Sequence, residues 1–122
     1  MNLDIISDFV AKFNMGRIRK VNIIKIKKTK ISFKLLTILY NEGYISNFII
    51  KKNFFFVFLP IKNCFIKFYR YSTSGNRIFL SYLDLLRSHK NEVLILSTSQ
   101  GLILTNVAIK KKIGGEPIIK II

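Results

Sequence analysis

The stretch Glu92-Val93-Leu94-Ile95-Leu96-Ser97-Thr98-Ser99-Gln100-Gly101, followed after a helix-length interval by Ile113-Gly114-Gly115-Glu116, decides how this chain folds. Glu92 to Leu96 is an apolar run of strand length. Ser97 to Gly101 is a polar turn, because Ser and Thr hydroxyls bond nearby backbone and Gly supplies unrestricted φ. A helix is predicted from about Thr105 to Lys112. Gly114-Gly115 breaks it, and Pro117 to Ile122 forms a last strand.

Working outward, Ser81 with Asp84 offers a capping box for a short helix holding Leu83 and Leu86. Strands are predicted over Cys64 to Tyr71 and Arg77 to Leu80, on either side of Ser72-Thr73-Ser74-Gly75-Asn76. Pro60 to Asn63 is a turn that closes a first lobe. In that lobe Leu3, Ile6, Val10 and Phe13 recur at helical spacing, with Asn2 as N-cap, until Gly16 stops the helix. Asn22 to Lys27 alternates as a strand, Ile24 and Ile26 facing one way and Lys25 and Lys27 the other. Thr29 caps a second helix carrying Ile31, Leu35, Ile38 and Leu39, and Gly43 suits its left-handed C-terminal position. Ile45 to Ile50 and Asn53 to Leu59 are two strands around Lys51-Lys52. The fold class is α+β, in two small lobes. Residues 1–62 form a helix-strand-helix-strand-strand lobe, and residues 63–122 form a mostly β lobe with a short helix.

The chain has 122 residues, half of them hydrophobic, with 21 Lys plus Arg against 6 Asp plus Glu and a formal charge of +15. Such an excess repels itself unless a polyanion screens it, which points to nucleic acid first and an anionic membrane surface second. The cations lie in Arg17–Lys20, Lys25–Lys30, Lys51–Lys52 and Lys110–Lys112, between Ile, Leu and Phe, so they decorate a folded surface rather than a disordered tail.

Several classes of chemistry lack their residues. Cys64 is a single cysteine, expected to be a buried inert thiol, and supports neither an intramolecular disulfide nor a cysteine metal site. His89 is expected in a solvated loop. The acids Asp4, Asp8, Glu42, Asp84, Glu92 and Glu116 are dispersed, and no phosphate-cradling glycine loop is present. No catalytic residue, metal or cofactor is expected. No apolar stretch reaches the ~20 residues of a membrane-spanning helix. The opening MNLDIISDF is unlike a secretory signal or transit peptide, so the protein is expected to work where it is made. Among the aromatic residues, Phe54, Phe56 and Phe58 alternate and are expected to fill a core. Tyr69 and Tyr71, with basic neighbours, are candidates for base stacking.

RNA binding has better support, because structured RNA is held through phosphates and 2′-hydroxyls by Lys, Arg, hydroxyl side chains and close backbone approach. Two segments join hydroxyls to glycine: Ser72-Thr73-Ser74-Gly75, flanked by Arg70 and Arg77, and Ser97-Thr98-Ser99 with Gly101.

The second segment and its Gly-Gly-Glu sequel resemble the signature of the small ribosomal subunit protein eight family. There an apolar strand runs into Ser-Thr-Ser-x-Gly, and Gly-Gly-Glu precedes the last strand. Arg17-Ile18-Arg19, Thr29-Lys30, Leu39-Tyr40-Asn41-Glu42-Gly43-Tyr44-Ile45 and Arg70 to Phe79 resemble further blocks of the family in the right order. The resemblance implies a non-enzymatic two-lobed α+β protein that binds the central domain of small-subunit ribosomal RNA and aids its assembly beside neighbouring small-subunit proteins. It assigns RNA contacts to Ser97, Thr98, Ser99, Gly101, Thr29 and Lys30. Arg70, Ser72, Gly75, Arg77 and Gly114 are added to the binding set, and Gly115 and Glu116 brace the binding loop. The two lobes are expected to clamp a local RNA helix.

The chain departs from the family at Ser74, where a proline is usual, and at Ile109, where an arginine is common. The stretch before Lys30 is shortened, and alanines have become larger apolar residues. With abundant Ile, Lys, Asn and Phe, these drifts suggest an organelle-encoded copy, mitochondrial before plastid, with an AT-rich bacterium as the remaining source. The rival functions are a basic peripheral membrane protein and a nuclease or RNA-modifying enzyme.

Overall fold

The computed structural model describes residues 3–60, 67–71 and 77–122. The chain is mixed helix and strand, as its sequence pattern requires, and divides into two compact units, Met1–Lys67 and Phe68–Ile122. The expected lobe boundary at 62/63, the Cys64 thiol, the 72–76 loop and the Asn2 cap lie outside the described residues.

The first unit runs α1 (Leu3–Arg19), β1 (Ile23–Lys27), α2 (Lys30–Asn41), β2 (Asn47–Lys51) and β3 (Phe54–Phe58). Its strands form an antiparallel sheet in the order β1-β3-β2. Ile6, Phe9, Val10 and Phe13 of α1 and Leu35, Leu36 and Leu39 of α2 are buried with Ile24, Ile26, Phe55 and Val57. The helix 3.6-residue period and the strand two-residue period thus meet in one core.

Two expectations fail here for local reasons. Gly16 does not stop α1, which continues to Arg19. A Cβ on Gly16 would stand 2.7 Å from Ile24 Cγ2, so this glycine lets the helix lie close on β1. The stop comes at Lys20, at φ +56°, with Val21 N–H donating to Gly16 O at 3.1 Å. In β3 the buried residues are Phe55 and Val57, while Phe54, Phe56 and Phe58 are half-buried on the other face. Register decides this: Phe55 and Val57 oppose the inward Ile26 and Ile24, and Phe54 and Phe56 oppose Lys27 and Lys25.

The second unit runs β4 (Phe68–Arg70), α3 (Tyr82–Asp84) continued by a π-helical turn (Leu85–His89), β5 (Val93–Thr98), β6 (Gly101–Leu104), α4 (Thr105–Lys111) and β7 (Glu116–Ile121). The antiparallel sheet has the order β4-β7-β5-β6. Leu85, Leu94, Leu96 and Ala108 form a buried cluster, with Tyr71, Leu80, Ile103, Ile109 and Ile113 against it. Thr105 is buried and ties α4 to β5: its Oγ1 accepts from Leu94 N–H at 2.8 Å and donates to Leu94 O at 3.2 Å. Pro117 has no N–H to give a ladder, and it sits at the bulge where the β5–β7 register shifts between Ile95 and Leu96.

The Ser81–Asp84 capping box is present, but Leu85 is the buried residue of this helical segment, while Leu83 and Leu86 are exposed. The expected strand over Arg77–Leu80 reduces to one bridge, Leu80 with Gly115, and β6 starts on Gly101, read as the end of a turn, and takes in Leu102, Ile103 and Leu104, to which the sequence pattern assigned no element. Helix α4 ends at Lys112, at φ +57°, before Gly114 is reached. His89 lies in the π-helical turn, not in a solvated loop. Its Nδ1 pairs with Glu92 at 2.9 Å and its ring meets Tyr71 edge-on.

Candidate nucleic-acid interface

Strands β5 and β6 are joined by Ser99-Gln100, and Thr98 faces Gly101 as the closing pair. Gly101 takes φ +98°, which a side chain would resist, and open space lies where its Cβ would be. Thr98 Oγ1 donates to Gly101 O at 2.9 Å and accepts from Gln100 N–H at 3.1 Å, so this hydroxyl holds the turn in shape. Lys111 donates to Gln100 Oε1 at 2.9 Å. Ser97 and Ser99 have no side-chain hydrogen bond among the described residues.

The Gly-Gly-Glu segment is drawn against this turn. Gly115 exchanges backbone hydrogen bonds of 2.9 Å with Leu80, and a Cβ on it would stand 2.6 Å from Ser97 O. A Cβ on Gly114 would meet the Leu80 carbonyl and lie 2.8 Å from Ser81 Cα. Both glycines therefore make room for their own chain, and Gly114 presents its Cβ side to backbone rather than outward. Glu116 opposes Ser97 and accepts from Arg77 through Nε at 2.5 Å and a terminal nitrogen at 2.8 Å. The carboxylate raises the guanidinium pKa, chiefly through these hydrogen bonds. Arg77 is 59% exposed, yet its charge is already neutralised.

The structure thus gathers Arg77, Ser97, Thr98, Ser99, Gly101, Gly114, Gly115 and Glu116 at one end of the second unit's sheet. Arg70 lies on β4, opposite Ile119 of β7. Ser72 and Gly75 lie outside the described residues. Tyr69 is exposed, whereas Tyr71 is half-buried, packed against the core cluster with its ring edge-on to His89.

Thr29 and Lys30 belong to the first unit. Thr29 accepts from Ser32 N–H at 3.0 Å and shares a 2.7 Å hydrogen bond with the Ser32 hydroxyl, so it caps α2. Lys30 is exposed. Beside it lies a groove of about 500 Å³ lined by Lys28, Lys30, Lys34, Phe33, Ile50 and Phe55 as well as Thr29. Sequence reading gave Phe33 and Lys34 no role. The available signal was the spacing Lys30…Lys34, i and i+4 on one helix face, with Phe33 standing outside the apolar stripe. No group of His, Cys, Asp and Glu able to hold a metal ion occurs among the described residues, and no described helix is long and apolar enough to cross a membrane.

The second unit thus carries a braced hydroxyl turn and the first unit a lysine-rimmed groove, on a chain of formal charge +15. The family model described as ribosomal protein S8 matches residues 4–122. The small ribosomal subunit protein uS8c of Marchantia polymorpha is 30% identical over 126 residues, covering 95% of this chain and 96% of the relative. The uS8m protein of Acanthamoeba castellanii is 32% identical over 127 residues, covering 98% and 99%. The uS8 protein of Borreliella afzelii (strain PKo) is 33% identical over 120 residues, covering 91% of each. The chain belongs to the ribosomal protein S8 family: it is a structural protein of the small ribosomal subunit and not an enzyme.

Proposed function

We propose that the protein binds the central domain of small-subunit ribosomal RNA directly, aids its folding during assembly, and remains beside neighbouring small-subunit proteins. The observation that carries this reading is the end of the second sheet. There the Ser97 and Ser99 hydroxyls are uncommitted on a turn that Thr98, Gly101, Gly115 and Glu116 hold in shape. A rigid turn with free hydroxyls suits 2′-hydroxyl and phosphate oxygens, which need donors and acceptors at fixed positions. Ser97, Ser99 and Gly101 are the proposed contacts of this unit, and Thr98, Gly114, Gly115 and Glu116 position them. Lys30 contributes charge from the first unit, with Thr29 setting its helix. Arg70, Ser72, Gly75 and Arg77 are secondary contacts, Arg77 reaching RNA only with its Glu116 partner attached.

The test is titration of a central-domain RNA fragment against a random duplex. Replacing Ser97 and Ser99 together with Ala should weaken the fragment about ten-fold, at roughly 0.5–1.5 kcal/mol per lost hydrogen bond, and spare the duplex. Equal losses on both would overturn the role of the turn. Composition favours an organelle-encoded copy, mitochondrial ahead of plastid. Cosedimentation with mitochondrial rather than plastid small subunits is the expected result.

A further inference from the structure

The sheet of the first unit is wider than the helix layer on it. Helix α1 lies on β1 and α2 reaches β2, but the outer flank of β2 is left partly bare, with Ile50 55% exposed and Phe33 of α2 49% exposed. Phe33 and Phe55 lie with ring centroids 6.2 Å apart and planes 27° from parallel. Phe33 and Ile50 are the exposed apolar walls of the groove, and the buried Phe55 backs them from below.

The rim has the opposite character. Lys28 follows β1 and is fixed by its N–H donating to Asn53 O at 2.8 Å, and Lys30 and Lys34 stand on the first turns of α2. None of the three makes an ion pair among the described residues, and no acid lines the groove. The first turn of α2 also carries no acidic residue. A helix N-terminus is a partial positive charge that favours acids, so three lysines around it concentrate like charge with nothing to offset it. An anion is the missing complement. A phosphate by itself would leave the apolar walls wet, and a base-paired helix would keep its bases out of reach.

We infer that this groove holds one unpaired nucleotide of the bound RNA, its base on the exposed ring of Phe33 beside Ile50 and its phosphates among Lys28, Lys30 and Lys34. The inference rests on the reading of the protein as an RNA binder and adds to it a stacking site in the other unit. Every base has a π-face, so the site selects an extruded nucleotide rather than a base identity. The volume suits a base with its ribose.

The test uses the full chain, the central-domain fragment and a single-stranded RNA hexamer carrying 2-aminopurine. Phe33→Leu keeps the apolar contact and removes the ring. It should weaken both RNAs about ten-fold and abolish quenching of the 2-aminopurine. The salt slope should not change, because no cation is lost. Lys34→Gln should instead lower the slope by about 0.7–0.9. Ile50→Ala, on β2, repeats the affinity test should the Phe33 variant lose its helix by circular dichroism. If the fragment binds and neither Phe33→Leu nor Ile50→Ala alters affinity or quenching, the groove inference is overturned while the RNA reading stands. If the fragment fails to bind but the hexamer is quenched by wild type and not by Phe33→Leu, the groove stands and the central-domain reading fails. Phe33-dependent binding of phosphatidylserine vesicles with no quenching of the hexamer would overturn the inference in favour of a membrane surface.

Discussion

The two candidate contact regions are built from opposite materials. At the Ser97–Gly101 turn, nearly every polar group but two hydroxyls is tied to its own chain, and the one arginine nearby is neutralised by Glu116. At the groove beside α2, the lysines are unpaired among the described residues and only the Thr29 hydroxyl is committed, to capping the helix. A region of the first kind contributes shape and little net charge. The second kind contributes charge and tolerates movement. A molecule carrying both separates recognition from attraction, and salt should act on them unequally.

That separation can be broken from either side. The largest effect is expected from replacing Lys28, Lys30 and Lys34 together with Gln. The slope of log affinity for the central-domain fragment against log salt should fall by about two to three, with a loss of two or more decades at low salt, read by filter binding. Unfolding stability should not drop. Next, Gly115→Ala forces a Cβ against the Ser97 carbonyl and should cost about 2–3 kcal/mol in urea unfolding, with affinity falling and the salt slope preserved. Thr29→Ala removes the α2 cap and should cost about 1 kcal/mol of stability by the same measurement, leaving the Ser97 turn untouched.

The smallest effect concerns Glu92, whose carboxyl is held below its ordinary value of 4.5, first by its hydrogen bond with His89 and more weakly by Lys120. A depressed folded pKa contributes stability above the unfolded value and loses it as pH falls through the folded one. Wild type should therefore exceed Glu92→Gln by less than about 1 kcal/mol near neutrality, since the pair is partly exposed, and the two should converge below pH 4.5. Urea titrations at pH 7 and pH 3 check this.

Features set by near neighbours in the chain were legible in the sequence. The Thr29 cap, the Ser81–Asp84 box and the left-handed Gly43 at φ +81° each depend on three or four residues, and each is where the pattern put it. Features set by distant partners were not. Phe54 to Phe58 is apolar at every position, so only pairing with β1 reveals which parity faces the helices. Gly16 and Gly114 read as helix stops, because a glycine needed for close approach and one needed for a turn look alike in one dimension. Strand β6 was missed because Leu104 passes directly into α4 without a turn residue. In the candidate interface, the Ser97–Gly101 turn was visible as a local motif, whereas the groove required Phe33, Ile50 and Phe55 to meet from three elements.

Among the described residues, the non-glycine positions with positive φ are Lys20, Lys52 and Lys112. A left-handed residue with a side chain costs roughly 1–2 kcal/mol, and glycine would occupy each position without that strain. The free protein would gain stability from the exchange, but each exchange would also remove a cation. Conformational comfort and electric charge are thus in direct competition at three corners of this backbone, and at all three the charge is what has been kept.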